Sequence, residues 1–194
     1  MEQTKEIEIK LKVLNPESLE FLRRNLMHNC DAVCHKQTRS ITDTFYDRCA
    51  ELRLDNKVLR IRTDNGYTGL ITFKAPSGII DGVKTRTELQ TTVGDRDAME
   101  AILEQLGYKP LLSYSKMRED FFPYIVGINE VAIDSVEGFG DFIEIEGESV
   151  EVIKKAIGDI VDLDGVRYEI EERSYFGMMV DRIKEQCKIP SQKE

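Results

Sequence analysis

Two histidines, no tryptophan, four scattered cysteines and no long apolar run deprive this sequence of the raw material for several kinds of function. His28 and His35 belong to no Ser/His/Asp arrangement, so a histidine-activated nucleophile has no base to draw on. Cys30, Cys34, Cys49 and Cys187 are irregularly spaced in a chain of 194 residues, long enough to bury a core without covalent staples, and reduced thiols are expected. The grouping His28, Cys30, Cys34, His35 lacks the second CxxC or HxxxH half that a structural zinc site requires. No stretch reaches the roughly 20 apolar residues of a membrane span. The opening Met1-Glu2-Gln3-Thr4-Lys5-Glu6 has no signal-peptide core, so no membrane partner and a cytoplasmic location are expected. Positive charge is also short: the formal net charge of −9 argues against a nucleic-acid binder that works by bulk attraction. It leaves room for a small anion, because a ligand feels its pocket first and exposed charges beyond about 8 to 10 Å are largely screened. The glycines at 66–69 and 78–82 lack the strand, glycine-rich turn, helix order of a nucleotide loop and read as hairpin turns.

What is present is alternation. Hydrophobic residues make up 41% and charged residues 32%, a globular mixture expected to form one domain over 1–188 with a disordered tail at 189–194. Lys5-Glu6-Ile7-Glu8-Ile9-Lys10-Leu11-Lys12-Val13 alternates polar and apolar without a miss, the period of a strand with two chemically different faces. Similar patterns and turn residues predict strands at about 33–47, 57–65, 68–75, 83–93, 112–124, 128–136 and 139–147. Helices are predicted from Asn15-Pro16 to about His28, from the cap Asp95 to Gly107, from Ser149 through Ile160, and from Ser174 to Cys187.

Ionisable residues sit two apart within each strand and so share a face: Glu6, Glu8, Lys10 and Lys12; Arg60 and Arg62; Thr72 and Lys74; Arg86, Glu88 and Gln90; Lys116, Arg118 and Asp120; Asp134; Glu144 and Glu146. Phe142 is in phase with Glu144 and breaks the pattern at that end. One strand at a time, this is what any half-buried antiparallel sheet shows. The residue choice goes further: arginine, whose planar fork matches phosphate oxygens, recurs in pairs, and carboxylates suited to Mg²⁺ or Mn²⁺ gather on the first, seventh and eighth strands. Eight strands that close into a barrel leave a bore wide enough for one small ligand. So many charges cannot be packed dry, since each desolvated ion costs several kcal/mol against a fold worth about 5 to 15 kcal/mol. The fold class expected is therefore α+β, a closed eight-stranded antiparallel β-barrel with a charged, hydrated bore and helices on its outer face.

Glu6-Ile7-Glu8-Ile9-Lys10, followed in order by Leu59-Arg60-Ile61-Arg62, Thr72-Phe73-Lys74, Arg86-Thr87-Glu88, Lys116-Met117-Arg118, Asp134 and Glu144-Ile145-Glu146, resembles the CYTH superfamily of triphosphate tunnel metalloenzymes. The resemblance spans about residues 5–147, with an echo of the cyclase-like branch in Ser174-Tyr175. It implies that Lys10, Arg60, Arg62, Lys74, Arg86, Lys116 and Arg118 cradle a triphosphate. It also implies that Glu6, Glu8, Asp134, Glu144 and Glu146 bind one or two Mg²⁺ or Mn²⁺ ions, and that Lys74 and Glu88 take part in the chemistry, Glu88 through the metal shell or a salt bridge to a neighbouring arginine. For Lys12 and Asp120 a structural charge is an equal reading. The implied activity is that of a class IV adenylyl cyclase, converting ATP to cyclic AMP and pyrophosphate. Alternatives are a triphosphatase acting on inorganic, nucleoside or thiamine triphosphate, and a non-catalytic polyphosphate or nucleotide binder. Absence of tryptophan weighs against thiamine, although Tyr46, Tyr114 and several phenylalanines remain. A homodimer is implied as well, and residues 75–83 are expected to form a mobile flap over one mouth of the bore.

Overall fold

The computed structural model describes residues 3–28, 38–66, 69–162 and 164–188. Cys30, Cys34 and His35, the first residues of the strand expected from 33, and the expected tail at 189–194 lie outside the described residues.

The strands are β1 (Gln3–Val13), β2 (Arg39–Asp47), β3 (Val58–Asp64), β4 (Gly69–Lys74), β5 (Gly78–Ile80), β6 (Val83–Val93), β7 (Lys109–Phe121), β8 (Ile128–Val136), β9 (Gly140–Gly147) and β10 (Tyr168–Ile170). Neighbours run β10-β1-β9-β8-β7-β2-β3-β4-β6-β5, and an added pairing of β1 with β6 closes eight of them into an antiparallel barrel. β1 makes this closure because it is long enough to pair twice. Its first half meets β6, from Gln3↔Leu89 to Glu8↔Lys84, and its second half meets β9, from Glu8↔Glu146 to Lys12↔Phe142. The short β10 extends β1 at Leu11–Val13, and β5 pairs with β6 from Gly78↔Thr85 to Ile80↔Val83. The segment expected as a flap is thus tied into the ladder by β5.

The helices are α1 (Leu19–His28), α2 (Glu51–Leu54), α3 (Arg96–Gln105), α4 (Val150–Ala156), which continues as a π turn over Ile157–Asp162, and α5 (Tyr175–Lys188). Asp95 caps α3 by accepting from the Ala98 N–H at 2.9 Å, and Ser149 caps α4 through the Val152 N–H at 3.3 Å. Asn15, where the first predicted helix begins, makes no side-chain cap to it. Pro16 opens a 3-10 turn, while the Asn15 side chain donates to Gly165 O at 3.1 Å and accepts from the Arg167 N–H at 2.6 Å, tying the start of the chain to its later part.

The outward faces of β1, β8 and β9, with Ile7, Ile9, Leu11, Val131, Ile133, Ile143 and Ile145, meet Leu19, Leu22 and Leu26 of α1 and Ile153, Ile160 and Val161 of α4 and its π turn in the main apolar core. A smaller cluster of Tyr46, Ile61 and Leu103 seats α3 on β2 and β3. The period-two alternation therefore sends apolar side chains out to the helices and charge into the bore, the reverse of a barrel with a greasy centre. Two features differ from the sequence reading. β7 starts at Lys109, ahead of the expected 112, and Pro110 is accommodated where the β2–β7 register shifts between Phe45 and Tyr46. Phe142 does point inward, and it is fully buried there: with Val136, Tyr175 and Met178 it forms the plug by which α5 stops one end of the bore.

Candidate active site

A cavity of about 260 Å³ occupies the bore. Every sequence-expected cation lines it: Lys10 from β1, Arg60 and Arg62 from β3, Lys74 from β4, Arg86 from β6, Lys116 and Arg118 from β7. So do Glu6, Glu8, Glu88, Glu144 and Glu146. Asp134, expected among the metal-binding carboxylates, is set behind this wall with no exposed surface. Its oxygens are taken by Lys116 Nζ at 2.6 Å, Arg118 Nε and Nη2 at 2.6 Å each, and the Tyr175 hydroxyl at 2.9 Å. That is a full set of donors, so Asp134 positions cations here. Lys12 lies outside the cavity lining, and Asp120 is buried against Arg39 Nε at 2.8 Å.

Three contributors escaped the sequence reading. Asp43 on β2 is fully buried, accepts both prongs of Arg62 at 2.7 and 2.9 Å, and also meets Arg60 at 3.3 Å and the Tyr114 hydroxyl at 3.1 Å. Burial alone would raise its pKa, but Arg60 and Arg62 win and hold the carboxyl far below the ordinary range. Glu130 lines the cavity from β8, two alternations before Asp134. Lys84 faces Glu8 across β6 at 3.9 Å, and burial lowers its pKa. Phase was the available signal: Asp43 is two residues from Phe45, Glu130 four from Asp134, and Lys84 two from Arg86.

Two electrostatic regions result. On the cationic side, burial and the adjacent Arg118 lower Lys116 to about 8, against the pull of Asp134 and Glu144. Glu144 is held well below its ordinary range because Lys116, Arg118 and Lys10 outweigh its burial. Lys74 is gripped by Glu6 at 2.6 Å and Glu88 at 2.7 Å, and it is Lys74 that keeps Glu88 ionised despite burial. Glu88 thus forms an ion pair whose partner is Lys74 and not the neighbouring arginine that was expected. Lys10 donates to Arg173 O at 2.8 Å and stands 4.1 Å from the centre of the Tyr175 ring.

The acidic region is a single row. Glu8 on β1 is opposite Glu146 on β9, which precedes the register slip that sets it against Glu130 on β8. Like charges directly abreast repel, and burial adds to the penalty on ionising them. Burial pushes Glu130 up to about 7, with Asp120 adding to the shift and Arg118 opposing it, while burial followed by Glu6 and Glu8 raises Glu146. Glu6 Oε2 is buried without a hydrogen-bond partner. Among the described residues no three acidic, histidine or cysteine side chains already stand in ligating positions. The donor set nevertheless fits a hard divalent cation: it is all oxygen and carboxylate-rich, with Glu8, Glu146 and Glu130 in one row beside Glu6.

Beside this closed antiparallel barrel, whose bore opposes an arginine and lysine wall to an acidic row, stands a sequence finding: the CYTH domain profile matches residues 4–173. The chain belongs to the CYTH family. A curated relative from Methanocaldococcus jannaschii, named "Putative adenylate cyclase MJ0240", is 34% identical over 123 residues, 63% of this chain. The chain spans 62% of that relative's length. Among solved structures, the PH1819 protein of Pyrococcus horikoshii superposes with a TM-score of 0.71 at 28% identity, covering 91% of this CYTH chain and 99% of its own. HpAC1 from Hippeastrum, stated to have a dominant triphosphatase activity, shares the fold with a TM-score of 0.73 at 20% identity over 97% of this chain and 100% of its own. No helix among the described residues of this CYTH protein is long and apolar enough to cross a membrane.

Proposed function

We propose that this CYTH protein is a divalent-metal-dependent enzyme that binds a nucleoside triphosphate in its bore, of the class IV adenylyl cyclase type. The observation that carries the reading is the convergence of Lys10, Arg60, Arg62, Lys74, Arg86, Lys116 and Arg118 on one cavity, where buried Arg60 Nε and Arg86 Nε have no hydrogen-bond partner. Donors left unsatisfied in a low-dielectric wall are costly unless a ligand supplies acceptors, and a triphosphate supplies many.

Glu6, Glu8, Glu144 and Glu146 would hold Mg²⁺ or Mn²⁺, with Glu130 beside them. Such an ion would supply charge neutralisation and Lewis acidity at the phosphates. The chain's own residues do the rest. Arg60 and Arg62, braced by Asp43, and Lys116 and Arg118, braced by Asp134, meet the polyphosphate with side chains whose orientation is already fixed, so little reorganisation is needed as charge moves. Lys74, set between Glu6 and Glu88, donates to the phosphoryl group that reacts, and Glu88 accepts the proton of the attacking hydroxyl. In the cyclase reaction the ribose 3′-oxygen bonds to the α-phosphorus while the bond from that phosphorus to the α–β bridging oxygen breaks, and pyrophosphate leaves with the electron pair.

The same wall would serve a triphosphatase, in which water attacks a terminal phosphorus; that HpAC1, alike in fold, is stated to have a dominant triphosphatase activity supports this second reading. Purified protein incubated with Mg²⁺ or Mn²⁺ and, separately, ATP, tripolyphosphate and thiamine triphosphate tests both. Cyclic AMP with pyrophosphate marks the cyclase and orthophosphate marks the hydrolase. Tight binding without turnover would make the bore a receptor and overturn the enzyme reading.

A further inference from the structure

Five aromatic rings gather at the α5 end of a bore that is otherwise ionic. Tyr175 packs edge-on to Phe142 at 5.2 Å and lies 5.8 Å from Tyr114, which stacks on Phe45 at 5.9 Å and 11° between planes. Phe176 then tilts over Phe45 at 4.8 Å. The rings divide by role. Tyr114 and Tyr175 spend their hydroxyls on the buried anchors Asp43 and Asp134, and Tyr175 belongs to the apolar plug that seats α5. Phe45 and Phe176 have no polar group to spend and stand outside that plug cluster, yet both line the cavity, together with Val58. Phe45 is itself buried between Tyr114 and Phe176, so it is the half-buried Phe176 that presents ring surface to the hydrated, charged bore, which is unfavourable unless something flat and apolar covers it.

The same rim carries a polar reader. Phe45, Arg60, Thr72 and Gln90 are successive partners across β2, β3, β4 and β6, so Gln90 is in the ladder row of Phe45, on the far side of the phosphate-facing Arg60. Gln90 lines the cavity, and its amide offers a donor and an acceptor side by side, the pattern that matches the edge of a nucleobase.

We infer that Phe176, backed by Phe45 and lining one cavity with Val58 and Gln90, forms a subsite for the nucleobase of the substrate, so that α5 determines specificity for an aromatic-base triphosphate over inorganic triphosphate. This rests on the reading of the bore as a triphosphate site and specifies which class of triphosphate it takes. Ring stacking is tolerant of base identity, so Phe176 supplies affinity for any nucleobase and Gln90 supplies the choice between bases.

The test compares kcat/KM for ATP and for tripolyphosphate, in the full chain with Mn²⁺, for the unaltered protein, Phe176→Leu and Phe176→Trp. Phe176→Leu keeps apolar volume and removes the ring, and turnover of tripolyphosphate by the same preparation controls for folding. The ratio of ATP to tripolyphosphate kcat/KM is expected to fall roughly 10- to 100-fold in Phe176→Leu, the range set by losing one base–aromatic stack, and to recover in Phe176→Trp. Gln90→Leu is expected to narrow the preference among ATP, GTP and CTP while changing that ratio less. Equal loss toward both substrates in Phe176→Leu, or an unaltered protein that turns over tripolyphosphate but not ATP, overturns the subsite and leaves the triphosphate reading standing. An unaltered protein that neither binds nor turns over any triphosphate overturns both.

Discussion

Arg118 and Asp134 face each other across β7 and β8 as a fork, Nε on Oδ1 and Nη2 on Oδ2, each at 2.6 Å. With Lys116 at 2.6 Å on the same carboxylate, one fully buried anion steadies two cations of the bore. Removing it strands them. Asp134→Ala is expected to destabilise the fold by about 3 to 5 kcal/mol, the cost of leaving buried charge uncompensated. Urea unfolding measures this; a midpoint like that of the unaltered protein would show that Asp134 does not act as the anchor.

Glu6→Gln and Glu146→Gln each remove one anionic oxygen from the acidic side of the bore without changing its shape. Turnover should fall by about 100-fold or more, and the Mn²⁺ concentration for half-maximal activity should rise. Arg60→Ala should do the opposite, raising the substrate KM by roughly tenfold with metal dependence little changed. Metal and substrate titrations of the three variants separate the roles; activity untouched in all of them would refute the site.

Glu130 makes stability depend on pH in a defined direction. Its folded pKa of about 7 is raised above the unfolded value, so between the two the folded state holds a proton that the unfolded state has lost. Stability therefore falls as pH rises through that window. Glu130→Gln removes the penalty: relative to the unaltered protein it should be neutral near pH 4 and more stable by about 1 to 3 kcal/mol at pH 8, in metal-free buffer. Thermal unfolding across pH 4 to 8 would show a flat difference if Glu130 titrates normally.

Gly147 ends β9 one residue after Glu146, and a Cβ there would sit 2.8 Å from the Gly127 carbonyl oxygen. Neither backbone can yield without moving the acidic row. Gly147→Ala is expected to cost about 1 to 3 kcal/mol, the ordinary range for overpacking, and to weaken Mn²⁺ binding measured by calorimetry.

Much of the site was legible because period-two alternation is a local property. Glu6, Glu8 and Lys10 share a face whatever else the chain does, and so do Arg60 with Arg62 and Glu144 with Glu146. Alternation cannot say whether a face looks at solvent or into a bore, so Asp43 and Glu130 passed as ordinary strand residues although both were in phase. Asp134 shows the converse limit: its identity as a carboxylate on the inward face was readable, but its engagement by Lys116, Arg118 and Tyr175 depends on three side chains arriving from β7 and α5. The short β5, α2 and β10 carry too few residues for a periodic signal.

By itself the sequence determined which residues are amphipathic in strands, which helices are capped at Asp95 and Ser149, and the charge inventory of one face, because each follows from covalent neighbours and short-range hydrogen bonds. Only the tertiary structure decided that β1 pairs with β6 as well as β9, and that decision turns a polar face into an enclosed bore. Closure brings together side chains more than a hundred residues apart, and the low-dielectric wall it creates sets which carboxylates stay ionised and which hold their protons.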